Sequence, residues 1–133
     1  MKLGGRAIAI EKSPKRCAII RQNTDFYDMP LFQLCEGNAE EILEHLHKNN
    51  PAPEAIFFGA ALPLIQEAMS MLQQGGILVA NAVTLPSQQI VTELRLKHGG
   101  HIRRINIEEE ESIAHLVALK PARSVLQYWW HKS

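Results

Sequence analysis

Short apolar runs alternate with stretches of helical period along most of the chain. Residues 6–10 predict a strand that ends at Glu11. Ser13 followed by Pro14 predicts a helix start. Ser serves as N-cap and Pro takes the first helical position, where its missing N–H costs nothing, and the helix runs to about Asn23. A second strand is expected over 31–35, closed by Gly37. Asn38 to Glu41 has capping-box spacing, and Ala39, Ile42, Leu43 and Leu46 form one apolar stripe behind it. Pro51 and Pro53 break that helix. A third strand over 55–58 stops at Gly59. A helix over 62–73 presents Leu64, Ile65, Ala68 and Leu72 on one face and ends at Gly75 and Gly76. A fourth strand over 77–81 leads to a helix opened by Pro86, carrying Ile90, Val91 and Leu94 and ended by Gly99 and Gly100. The rhythm then changes: 101–107, 114–119 and 123–130 read as strands with no helix between them.

Strands joined by crossover helices are parallel, so the pattern predicts an α/β fold with an antiparallel return at its C-terminal end. Ligands of such sheets bind beyond the carboxyl ends of the parallel strands. That edge collects Glu11, residues 36–39, 59–62 and 81–84. The 133 residues suit a single domain, 1–133, with a core of its own. Hydrophobic residues at 46% and charged residues at 21% exclude a disordered tail. Fourteen basic side chains cancel fourteen acidic ones, so nothing steers a nucleic acid from a distance. No apolar run approaches the roughly 20 residues of a membrane span, and residues 1–6 lack the apolar stretch of a signal peptide. No nucleic-acid or membrane partner is expected, and the chain reads as cytoplasmic. Cys17 and Cys35 form no CxxC pair and read as reduced core thiols.

Glu11 is the first candidate for chemistry. A carboxylate directly after a parallel strand can accept hydrogen bonds from both hydroxyls of a ribose; an acid at a helix start is equally favoured by the helix dipole. Gly37, Asn38 and Ala39 follow the next strand. A small residue and then a short polar side chain can hold a purine edge, and the same residues read as a plain N-cap. Gly59, Ala60 and Ala61 would let a ligand approach the backbone, or simply turn the chain into the next helix. Asn81 and Thr84 offer polar groups after the fourth strand, although Thr84 also suits a cap for the Pro86 helix. The six histidines form no cluster with cysteines, so no metal site is expected. There is no GxSxG elbow, Walker loop or GxGxxG. Of Trp129 and Trp130, one ring is expected in the core and the other toward a partner subunit. The acidic run Glu108 to Glu111 reads as a solvated loop tip.

Four segments resemble the decarboxylating precorrin C5,15-methyltransferases of cobalamin biosynthesis. They are Ala7 to Glu11 with Pro14, Arg16 and Asn23; Gly37 to Glu41; Gly75 to Leu85, the most specific; and Lys120 to Trp129. The resemblance covers nearly the whole chain from Arg6. It implies a Rossmann-like class I methyltransferase sheet, parallel with an antiparallel C-terminal strand, and S-adenosylmethionine as cofactor. It also implies a precorrin substrate, methylated at C5 and C15 with loss of carbon dioxide from an acetate side chain. Family members are oligomeric and often tetrameric, which implies a homo-oligomer here. By the same resemblance Glu11, with Lys12 beside it, would hold the cofactor's ribose. Gly37, Asn38 and Ala39 would hold the adenine, Gly59 and Ala60 would line the methyl-transfer cleft, and Asn81 and Thr84 would shape the substrate side.

The sequence departs from the family at several points. The family's first strand, with its glycine-rich cofactor loop, has no counterpart in the five residues before Arg6, so the sheet reads as lacking its first strand and helix. Either the sequence is a fragment, or the strands at 6–10 and 55–58 pair directly, or a partner chain fills the slot. An empty slot would leave two rows of backbone polar groups unpaired. Asn38 stands where the family has Asp, and Gly59-Ala60-Ala61-Leu62 replaces a richer glycine turn. Four glutamates stand where a basic segment is expected, and would repel a substrate rich in carboxylates. These departures support an alternative: a catalytically inactive or truncated subunit acting as a scaffold. A small flavodoxin-like nucleotide-binding module would share Glu11 but not the Val79 to Thr84 wording.

Overall fold

The computed structural model describes residues 5–60 and 62–133. Residues 1–4, which carry most of the signal-peptide reading, and Ala61 of the loop after the third predicted strand lie outside the described residues. Two compact units divide the chain after Pro51.

The first unit holds β1 (Ala7–Glu11), α1 (Pro14–Phe26), β2 (Phe32–Glu36) and α2 (Ala39–Asn49). β1 and β2 run parallel with Glu11 opposite Glu36, as expected for strands joined through a helix. Ser13 caps α1 by accepting from the Arg16 N–H, and Pro14 takes its first turn. α1 continues three residues past Asn23 because nothing stops it until the Tyr27 N–H closes on the Asn23 carbonyl at 3.0 Å. Asn38 caps α2, but its Oδ1 accepts from the Glu40 N–H at 3.2 Å. The expected capping box with Glu41 is therefore replaced by a cap one residue earlier. Leu43 is the buried member of the α2 stripe, and Ala39, Ile42 and Leu46 are half-buried. Cys17 is a buried free thiol as expected, whereas Cys35 is also free but only half-buried, short of the core position expected for it.

The second unit holds β3 (Ala55–Phe58), a 3-10 turn at Leu62–Leu64, α3 (Ile65–Met71), β4 (Ile77–Ala82), α4 (Leu85–His98) and four further strands. The expected helix over 62–73 is split. Pro63 and the uncapped Leu64 allow only a tight turn at its start. Its end comes early because Leu72 turns extended and the Gln73 N–H goes to the Pro53 carbonyl at 3.0 Å. Thr84 and Ser87 form a reciprocal capping box at the start of α4.

β5 (His101–Ile105), β6 (Glu108–Ile113), β7 (Leu116–Pro121) and β8 (Val125–His131) complete the chain. The main sheet has the order β3-β4-β8-β5, with β3 and β4 parallel and β8 antiparallel to both its neighbours. This is the parallel arrangement with an antiparallel last strand that the sequence implies. Ile65, Ala68, Leu72, Leu78, Ala80, Val91, Leu94 and Tyr128 form its core. The core aromatic of β8 is Tyr128, not a tryptophan: Trp129 and Trp130 are both half-exposed. Alternation places Leu126, Tyr128 and Trp130 on one face, of which Leu126 and Tyr128 are the buried members; Trp129 points to the other face.

The acidic run is not a loop tip. Glu108 to Glu111 form most of β6, in a hairpin with β7 whose turn lies at Ala114 and His115. Glutamate is a poor strand former, but Glu109 stands opposite Lys120 and Glu111 reaches the Lys120 ammonium at 3.3 Å. Among the described residues β1 has one ladder partner, β2, and β3 has one, β4.

Candidate functional site

In the first unit the carboxyl ends of β1 and β2 bring two of the nominated groups together. The Gly37 N–H donates to the Glu11 carbonyl at 3.1 Å, so the glycine lies directly beside the acid. Gly37 has φ +143, and a Cβ there would meet the Ile42 side chain at 3.3 Å; a side chain is disfavoured on both counts. Asn38 and Ala39 follow at the start of α2, and Asn38 is exposed. Its Oδ1 serves the cap, which leaves the Nδ2 donor as the group available outward. Lys12 is exposed and contributes its backbone N–H toward the Glu11 carboxylate.

Glu11 is held by three hydrogen bonds. Oε2 accepts from Arg16 Nε at 2.7 Å, and Oε1 accepts from Arg16 Nη2 at 2.9 Å and from the Ser13 N–H at 2.8 Å. The Arg16 hydrogen bonds, helped by those from the backbone, hold the carboxyl down at about 2. Arg21 of the same helix pairs with Glu36, so both acids at this edge face an arginine from α1.

In the second unit Gly59 and Ala60 follow β3 and are exposed. Asn81 lies inside β4, one residue before its end, where its Oδ1 accepts from Gln127 Nε2 of β8 at 2.9 Å. Thr84 is the N-cap of α4: its hydroxyl accepts from the Ser87 N–H at 3.3 Å and meets Ser87 Oγ at 2.9 Å. No group of three or more His, Cys, Asp or Glu among the described residues is arranged to hold a metal ion.

The family model of the precorrin methyltransferase domain matches residues 1–132. The chain belongs to this family. The chain is 35% identical, over 130 residues, to the decarboxylating precorrin-6Y C(5,15)-methyltransferase of a Sinorhizobium species. That alignment takes in 96% of the chain and 30% of the relative, so the chain spans under a third of that protein's length. It is similar to the C-terminal domain of precorrin-6Y C5,15-methyltransferase from Rhodobacter capsulatus, with 34% identity and a TM-score of 0.83. There it covers 97% of this chain and 70% of that one. A targeted domain of a putative precorrin-6Y C5,15-methyltransferase from Corynebacterium diphtheriae matches at 28% identity and TM-score 0.78, over 96% of this chain and 75% of that one. The family read from the Gly75 to Leu85 and Lys120 to Trp129 wording is therefore the one the whole chain matches, with the Rossmann-like class I methyltransferase fold.

Two polar partners in this chain were not legible as such. Gln127 meets Asn81 only because β8 runs antiparallel beside β4, a long-range register that no local pattern carries. Arg16 reaches Glu11 because the Ser13 cap turns the chain so that the first turn of α1 lies over the end of β1. The five-residue spacing across a Ser-Pro helix start was the available signal.

Proposed function

We propose that this domain binds S-adenosylmethionine and methylates C5 and C15 of a precorrin, with loss of carbon dioxide from an acetate side chain, as a cytoplasmic step of cobalamin biosynthesis. The observation that carries this reading, beside family membership, is the apposition of Glu11 and Gly37 at the carboxyl ends of β1 and β2. It supports a ribose site next to a place where a flat ring can approach backbone. The Glu11 carboxylate would accept from the ribose hydroxyls, with the Lys12 backbone beside it. Asn38 Nδ2 would donate to a ring nitrogen of the adenine, which suits Asn in place of the family's Asp. Gly37 and Ala39 leave room for the ring. Gly59 and Ala60 would line the cleft for methyl transfer, and Asn81 and Thr84 would shape the acceptor side. The bound cofactor supplies an electrophilic methyl group. The residues named supply alignment, which needs no proton-transfer triad.

The protein is proposed to assemble as a homo-oligomer, a tetramer being the family's common form. Ile113, Leu116, Val117 and Leu119 of the β6–β7 hairpin are exposed and support this. Sedimentation equilibrium gives the mass, and a monomer at all concentrations refutes it. A specific observation favours the scaffold alternative: the β6 glutamates Glu108 to Glu110 are exposed and would repel a carboxylate-rich substrate. Calorimetric titration with S-adenosylhomocysteine, repeated with Glu11→Ala, separates the two. Micromolar binding that disappears in the variant supports the enzyme. A folded chain that binds nothing leaves the scaffold.

A further inference from the structure

We infer that Arg16 is a positioning residue that occupies Glu11 in the free chain and must release at least one carboxylate oxygen before a ribose can dock there. The inference rests on the reading of Glu11 as the ribose-binding acid. Its basis is acceptor capacity. A carboxylate offers about four lone-pair positions. Ser13 N–H takes one, and the Arg16 fork takes two, one on each oxygen. At most one remains, and the Lys12 N–H is directed at the same carboxylate, whereas a cis-diol brings two donors.

Ser13 cannot yield, because its N–H sits at the helix start and is fixed by the backbone. Arg16 can yield. Its side chain is 63% exposed, against 18% for Glu11, so the guanidinium has open solvent to swing into. The helix does not depend on the pair, since the Ser13 cap uses the backbone N–H of residue 16 and survives any side chain there. Nor does Glu11 need Arg16 to be ionised near neutral pH, because a carboxyl with an ordinary value is already charged. The ion pair therefore competes with the diol, and the release of Arg16 is part of the cost of binding.

The test is calorimetric titration of S-adenosylhomocysteine into the wild type, Arg16→Gln, Arg16→Lys and Glu11→Ala, each at low salt and in 0.5 M NaCl. Arg16→Gln is expected to bind about 2- to 5-fold more tightly than the wild type at low salt, the range of an exposed ion pair. Arg16→Lys, which keeps the charge but loses the fork, should fall between them. The gap should shrink in high salt, where exposed pairs are screened; a purely structural role for Arg16 would weaken binding and show no such convergence. Binding by Arg16→Gln alone also supports the inference. Wild-type binding that requires Glu11 but is equal or weaker in Arg16→Gln overturns it and leaves the cofactor reading standing. Binding that survives Glu11→Ala, or no binding by any of the chains, overturns both.

Discussion

Replacing Gly100 by Ala should destabilise the β-rich unit far more than the same change at Gly75. Both glycines have positive φ, +83 at Gly100 and +76 at Gly75. An L residue in that region costs about 1–2 kcal/mol at either place. The surroundings differ. Nothing lies within 4 Å of a Cβ built at Gly75. At Gly100 it would fall 2.5 Å from the Trp129 carbonyl oxygen, 3.0 Å from the Tyr128 ring and 3.2 Å from the Trp130 Cβ. The nearest of these is backbone of β8, which is paired to both β4 and β5 and cannot withdraw without loosening a ladder. Overpacking of this kind adds about 1–3 kcal/mol. The expected loss is about 2–5 kcal/mol for Gly100→Ala and about 1–2 kcal/mol for Gly75→Ala. Both tryptophans of the chain, Trp129 and Trp130, lie in β8 beside the site, so urea unfolding followed by tryptophan fluorescence reads this unit. With a slope of about 1.5 kcal/mol per M, a 3 kcal/mol loss moves the midpoint by about 2 M. Equal midpoints for the two variants, within about 0.3 M, would refute the argument that the β8 backbone sets the constraint.

Tyr128 is fully buried and its hydroxyl donates to the Gly99 carbonyl at 3.1 Å. Tyr128→Phe keeps the ring and removes the bond, so a loss of about 0.5–1.5 kcal/mol is expected from the same urea titration, and no change would show the bond to be replaced by water. Glu11 has its carboxyl lowered from 4.5 to about 2, so its contribution to stability is full above pH 4.5 and is lost as the pH falls through about 2. In an acid series of unfolding midpoints the wild type should decline more steeply than Glu11→Gln over that window, and high salt should reduce the difference. Parallel curves would mean that the pair does not persist in solution.

What could be read from the sequence is what local chemistry controls. Pro14 after Ser13, and Gly99-Gly100 after His98, mark boundaries through backbone rules that act within a few residues, and the helices begin and end close to those marks. The alternation of β8 is present in the sequence too, and it groups Leu126, Tyr128 and Trp130 on one face; which of them is buried depends on the elements packed against that face, which no local pattern carries. The acidic strand was hidden for a different reason. Its propensity argues against a strand, and the compensating Lys120 comes from a partner strand nine or more residues away. The site divides the same way. Glu11 and Gly37 were visible because each ends a strand; Arg16 and Gln127 were not, because their roles depend on geometry across elements.

The remaining hydrogen-bonding capacity of the nominated side chains ranks them as ligand contacts more sharply than their positions do. Thr84 has its hydroxyl engaged as acceptor from the Ser87 N–H and as donor toward Ser87 Oγ. Any contact it made to a substrate would dismantle the cap of α4, a feature of about 1 kcal/mol. Asn81 has its oxygen held by Gln127 but keeps its Nδ2 donor, and Asn38 is in the same position through its own cap. Both amides therefore keep donor rather than acceptor capacity. Glu11 alone offers negative charge, with at most one acceptor position open and two more released if Arg16 turns away. A ligand matched to the first unit's groups brings an acceptor to Asn38 and a pair of donors to Glu11. The ring nitrogens and vicinal hydroxyls of an adenosine have the right polarity for Asn38 and Glu11. The carboxylates of a precorrin have the right polarity for Asn81 and the wrong one for the β6 glutamates, so of the two proposed ligands the cofactor is the better matched to the residues present.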